Sequence, residues 1–222
     1  MTLIENGSQN TFNNLNGWNV VISWRGENFE LNHDQIGYLT NMYASEIFPR
    51  LYMGSELAAT DRAWLMDHKI THILSVTDHA PLQFPESYKY KTIPIRDYEN
   101  TNIMEYFDAS YHFINQALQE NGNVLVHCQR GISRCATIVI AYIMRNSQMA
   151  STAAYDFVKS KRPIICPNQG FLHQLKLYES MGCQVAKTNP KYWSYLMSVL
   201  HSQININDWI ISDMGRWKNL GP

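Results

Sequence analysis

The chain has 222 residues, 45% of them hydrophobic and 17% charged, enough length and apolar content to bury one sizeable core. Eighteen Lys and Arg against nineteen Asp and Glu leave a formal charge of −1, without the basic excess that bulk binding to nucleic acid or to an anionic membrane draws on. The longest apolar run, Ile138 to Met144, falls far short of the ~18 residues of a membrane span, and the polar start Met1-Thr2-Leu3-Ile4-Glu5-Asn6 does not read as a secretory signal, so a soluble intracellular protein is expected.

In chain order, residues 1–45 read as an extension, with six Asn in the first twenty and one strand-like patch at Trp18–Trp24. From Ile47 onward, β-rich runs at Ile47–Met53, Ile70–Val76, Tyr90–Ile95 and Asn123–Val126 alternate with segments of helical period, which predicts an α/β sheet domain. Phe107, Tyr111, Ile114 and Leu118 form a helical stripe suited to lie on that sheet. Ala154, Phe157 and Val158 mark a further helix that Arg162-Pro163 should end, since proline disfavours helical geometry in the residue before it. After Pro167, Asn168 is placed to cap a helix carrying Phe171, Leu172, Leu175 and Tyr178. Trp193, Leu196, Met197 and Leu200 repeat the helical spacing beyond Pro190, and Trp209 and Trp217 are expected to cover the core. No repeat or low-complexity tract is present.

The four cysteines, Cys128, Cys135, Cys166 and Cys183, include no Cys-x-x-Cys pair, so reduced thiols are expected, with Cys166 and Cys183 in packing roles. The stretch Val124–Met144 carries the chemistry. A buried-strand run leads into a polar turn with Gly131, then into an apolar segment too long for a typical strand. Opening a helix at about Ser133, that turn would gather backbone N–H groups into an anion-binding nest. Ile138, Val139, Ile140 and Ile143 favour strand locally, but a helix apolar on nearly every face suits a central buried position. Cys128 at the base of the nest would have its thiol pKa lowered by the helix N-terminus and positive neighbours. Arg134, six residues on, could offer its planar fork to two phosphate oxygens.

These residues, His127-Cys128-Gln129-Arg130-Gly131-Ile132-Ser133-Arg134, resemble the signature of the cysteine-based protein phosphatases, and the Gly-Ile-Ser-Arg core looks most like the dual-specificity branch. The resemblance runs from about Glu46 to Cys183. It implies a central, mostly parallel twisted sheet flanked by helices, with residues 46–183 as catalytic domain, 1–45 as N-terminal extension and 184–222 as C-terminal helical extension. It implies a phosphatase acting on phosphotyrosine, and on phosphoserine or phosphothreonine, through a phosphocysteine intermediate. Cys128 would be the nucleophile, Arg134 and the amides of residues 129–134 the phosphate holders, and Asp97, thirty-one residues upstream, the general acid, with Glu99 second. His127 would hold the loop through backbone bonds, and Asn168 would brace the phosphate-binding turn. The segment Gly170-Phe171-Leu172-His173-Gln174-Leu175 is similar to the Styx-like subgroup, some of whose members only bind phosphoproteins; a catalytically weak adaptor is therefore the alternative reading.

The resemblance also implies no cofactor and no metal, phosphoprotein partners rather than nucleic acid or membrane, and a place in the cytoplasm or nucleus. Oligomeric state is left open. This sequence departs from the family pattern at Cys135, where most relatives carry Ser or Thr to assist the departing sulfur; the weaker thiol donor predicts a slow second step, and its proximity predicts a reversible disulfide with Cys128. Arg130 and the Lys159-Ser160-Lys161-Arg162 cluster fit either a positive rim for substrate or a solvated face.

Overall fold

The computed structural model describes residues 43–78 and 82–203, together with four strands between residues 2 and 31. Those strands, β1 (Thr2–Glu5), β2 (Ser8–Leu15), β3 (Asn19–Trp24) and β4 (Glu27–Leu31), pair in order as an antiparallel meander. The extension thus holds four strands where one was expected. Asn6-Gly7, Asn16-Gly17 and Arg25-Gly26 punctuate them in the sequence, and Asn-Gly pairs are the strongest short-range hairpin signal.

The second sheet has five strands: β5 (Ala44–Phe48), β6 (Leu51–Ser55), β7 (Ile70–Val76), β8 (Lys89–Ile93) and β9 (Asn123–Cys128), in the order β5-β6-β9-β7-β8. Only β5 runs antiparallel to its neighbour; the other pairings are parallel. The single run expected at Ile47–Met53 is two strands of a hairpin, broken at Pro49-Arg50. Proline presets the turn there, and Arg50 takes a left-handed φ of 68°.

The helices are α1 (Glu56–Thr60), α2 (Arg62–Asp67), α3 (Phe107–Gln119), α4 (Arg134–Ser147), α5 (Ser151–Lys161), α6 (Gln169–Ser180) and α7 (Pro190–Gln203), with a 3-10 turn at Met104–Tyr106. Strand alternation sends Leu74, Val76, Val124 and Val126 into the larger core, with side chains of α3 to α6. Ile73 and Leu125 join the smaller cluster with Ala58, Ala59 and Leu65 of α1 and α2. Both faces of the sheet are covered, as a parallel sheet requires.

Helix α4 shows which effect wins. Its β-branched residues cost at most ~0.7 kcal/mol each in helix propensity. Ile138, Val139, Ile140 and Ile143 are all buried, and burying such a side chain is worth about 1.5–3 kcal/mol. Every residue from Arg134 to Met144 is buried. Helix α5 stops at Lys161 as expected from Pro163, and its start is tied to α6 by Glu179, which accepts from Ser151 N (3.0 Å) and Oγ (2.6 Å). Asn168 caps α6, its Oδ1 accepting from Phe171 N at 2.9 Å. On α7 it is Tyr192 that is buried, whereas Trp193, Met197 and Leu200 lie on an outward face; Trp209 and Trp217 fall outside the described residues. Among the described residues no helix is long and apolar enough to cross a membrane.

Candidate active site

In this strand order β9 is central, and the segments leaving the C-terminal ends of β6, β7, β8 and β9 converge on one place, where open α/β sheets bind their ligands. The segment from β9 to α4 is the loop of residues 129–133. Gly131 adopts φ +68°, and an added Cβ would lie 2.6 Å from Gly54 C and Ser55 N, so both conformation and space demand glycine. Ser133 is the N-cap of α4, close to the predicted start. Gln129 and Arg130 are exposed on the loop, Ile132 is half-buried, and Gly131 and Ser133 are buried.

Cys128, the last residue of β9, is buried at the base of this loop, its Sγ 3.2 Å from Cys135 Sγ. Its pKa is lowered to about 6. The chief cause is the hydrogen bond from the Cys135 thiol, aided by the N–H groups of Cys135 and Gly131 and the charge of Arg134, all acting against burial. Cys128 is thereby biased toward the thiolate near neutral pH. Burial and the neighbouring thiolate push Cys135 well up, so Cys135 keeps its proton and donates it. The Arg134 charge expected to ionise Cys128 acts in the same direction, behind this second thiol.

Arg134 is buried and folds back over the loop. Its Nη1 donates to Ile95 O at 3.2 Å and lies 3.6 Å from Asp78 Oδ1, while its Nε is 3.8 Å from Asp97 Oδ2. That Nε has no hydrogen-bond partner among the described residues, a buried donor left for an incoming oxygen. Asp97 is partly exposed across the loop, its Oδ1 accepting from Ser133 Oγ (2.7 Å) and Asn168 Nδ2 (2.9 Å). Its loop is fixed from behind. A Cβ on Gly170 would lie 1.8 Å from Glu99 O, so the loop backbone rests directly on α6, and buried Gln174 accepts from Met104 N (3.0 Å) and donates to Thr101 O (2.9 Å). Glu99 contributes its backbone to that contact.

Four sequence expectations change. His127 does not bond backbone: its Nε2 meets Ser75 Oγ at 2.6 Å, the residue directly opposite on β7, and its Nδ1 is buried without a partner among the described residues. Burial pushes its pKa down to about 4, so it is neutral. Asn168 touches the proposed acid rather than the phosphate-binding turn; the turn is held by Arg162 Nε to Gly131 O (2.8 Å) and Cys166 N to Ile132 O (2.7 Å). Arg162 is therefore neither rim nor solvated face: it is fully buried at the C-terminal end of α5. Cys166 is exposed, not packed in the core. Sequence reading missed Asp78, which bridges Arg134 and Arg96 (Nε to Oδ2, 3.1 Å), along with Ser75, Arg162 and Gln174. Only the polar residue Gln174, on the buried side of the amphipathic α6, left a readable signal.

The family model "Dual specificity phosphatase, catalytic domain" matches residues 51–181, more than half of the chain. The chain is 46% identical over 133 residues to the mouse "Dual specificity protein phosphatase 19", covering 60% of each, and 43% identical over 137 residues to the Xenopus laevis "Protein phosphatase Slingshot homolog", covering 62% of this chain and 20% of that one. The matches thus span less than two thirds of the length of these relatives. Among solved structures, the human tyrosine phosphatase-like serine/threonine/tyrosine-interacting protein superposes with a TM-score of 0.61 at 35% identity, over 64% of this chain and 99% of that one. Motif, strand order and loop geometry agree with these matches: the chain belongs to the dual specificity phosphatase family.

Proposed function

We propose that residues 46–183 form a protein phosphatase that hydrolyses phosphotyrosine, and phosphoserine or phosphothreonine, on protein substrates through a phosphocysteine intermediate. The observation that carries this reading is the convergence of three groups on one loop: a low-pKa thiol at its base, a buried guanidinium with an unsatisfied Nε, and a carboxyl group across its mouth. The thiolate of Cys128 attacks phosphorus in line, while Arg134 and the amides of residues 129–134 hold the equatorial oxygens. Asp97 protonates the departing oxygen, then takes a proton from the water that hydrolyses the phosphocysteine. The working compartment is the cytoplasm or nucleus, where thiols stay reduced; the four free cysteines fit such a setting.

The test is turnover of a small aryl phosphate and of a phosphotyrosine peptide by the wild type, Cys128→Ser and Asp97→Ala. Cys128→Ser is expected to be inactive, and Asp97→Ala to lose 10²–10⁴ in kcat on the peptide, the usual worth of a positioned acid. Turnover that is negligible in the wild type and equal in all three proteins would overturn the reading in favour of a phosphoprotein-binding adaptor.

A further inference from the structure

A loop that binds an anion through its amides must keep its own carbonyls turned away. Across a trans peptide, the C=O of one residue and the N–H of the next point in opposite directions, so pinning a carbonyl aims the following N–H. Three carbonyls of the 129–133 loop are pinned from outside. Gln129 O accepts from Glu56 N (3.3 Å), Gly131 O from Arg162 Nε (2.8 Å) and Ile132 O from Cys166 N (2.7 Å). The N–H groups of Arg130, Ile132 and Ser133 are thereby directed the opposite way. The amides of Gly131 and Cys135 also favour the Cys128 thiolate. Two of the three pins are backbone amides. The third, Arg162, is a fully buried guanidinium, which is costly to desolvate.

Arg162 is held for this task. It is the C-cap residue of α5, and its Nη1 donates to Ser45 Oγ on the edge strand β5 at 3.2 Å. Its charge also interacts with the Cys128–Cys135 pair. A charged donor on Gly131 O polarises that peptide and strengthens the Ile132 N–H as a donor.

We propose that Arg162 is a positioning residue of the phosphate-binding loop: through Gly131 O it sets the Ile132 amide toward the bound phosphate, without touching substrate itself. This rests on the phosphatase reading above. Glutamine and methionine separate the donor from the bulk. The Nε2 of Arg162→Gln occupies the place along the side chain held by the arginine Nε, whereas Arg162→Met fills similar space with no donor.

The experiment measures vanadate inhibition, KM and kcat for a small aryl phosphate in the full chain, with thermal unfolding alongside. Arg162→Met is expected to weaken vanadate binding about tenfold or more, the worth of one charge-assisted bond, with Arg162→Gln recovering to within about threefold of wild type. Ser45→Ala, which loosens the guanidinium without removing it, should weaken vanadate about threefold. A purely structural Arg162 would lower the unfolding temperature of both Arg162 variants equally and leave vanadate affinity of the folded protein unchanged; that result, or equal losses in Gln and Met, overturns the proposal. Should Arg162→Met fail to fold, unchanged vanadate affinity in Ser45→Ala does the same. A wild type that neither turns over the aryl phosphate nor binds vanadate sinks the phosphatase reading instead, and this inference with it.

Discussion

Replacing Cys135 with alanine removes the largest single contribution to the ionisation of Cys128, the S–H donor 3.2 Å from its sulfur. The fall from 9.0 to about 6 corresponds to about 4 kcal/mol of preference for the thiolate. A hydrogen bond to a charged group accounts for about 1.5–3 kcal/mol, or one to two pKa units, so Cys135→Ala should titrate at about 7–8. At pH 6 the ionised fraction then drops from about one half to about a tenth or less, and kcat/KM falls about fivefold or more, while at pH 9 the loss is small. The assay is the pH dependence of iodoacetamide alkylation and of kcat/KM for an aryl phosphate. Cys135→Ser should keep the low-pH limb at or below about 6, because a hydroxyl is the better donor. It should also speed hydrolysis of the phosphoenzyme in burst measurements about fivefold, the equivalent of ~1 kcal/mol. An alanine variant whose acid limb stays at about 6, or a serine variant with an unchanged hydrolysis step, would refute the reasoning.

Three further outcomes follow from the same geometry. Gly131→Ala should abolish vanadate binding and lower stability by about 2 kcal/mol or more, since a left-handed φ and backbone atoms at 2.6 Å both oppose the new methyl group; wild-type vanadate affinity would contradict this. His127 is neutral in the fold at about pH 4 and above, whereas the unfolded residue titrates near 6.5, so its contribution is complete above that value and is lost as pH falls through about 4. Urea unfolding should record a loss of about 3 kcal/mol over that window that is absent in His127→Asn; an equal loss in the variant would count against it. Mild peroxide should oxidise the Cys128 thiolate to a sulfenic acid; the Cys135 thiol then attacks that sulfur, forming the S–S bond and expelling the hydroxyl as water. Mass spectrometry should find a Cys128–Cys135 link that dithiothreitol reverses, and recovery of only overoxidised Cys128 would exclude it.

The sequence by itself determined the strand–loop–helix around Cys128, the stop at Arg162-Pro163, the Asn168 cap and the pairing of Cys128 with Arg134. Each of these depends on contacts between residues close in the chain, where spacing and local propensity speak directly. The hairpin at Pro49-Arg50 and the Asn-Gly punctuation of the first thirty residues are equally local, written in turn residues rather than in hydrophobic period. Tertiary structure alone decided the rest. That Asn168 meets Asp97 and that Ser75 rather than backbone holds His127 depends on which elements the order β5-β6-β9-β7-β8 brings side by side. Parallel neighbours are joined by long crossovers, so residues that become adjacent at the ends of such strands are tens of positions apart in the chain. No periodicity records that adjacency. Arg162 is the clearest case: in the chain it is one of a run of basic residues, and only burial beneath Gly131 gives its charge a task.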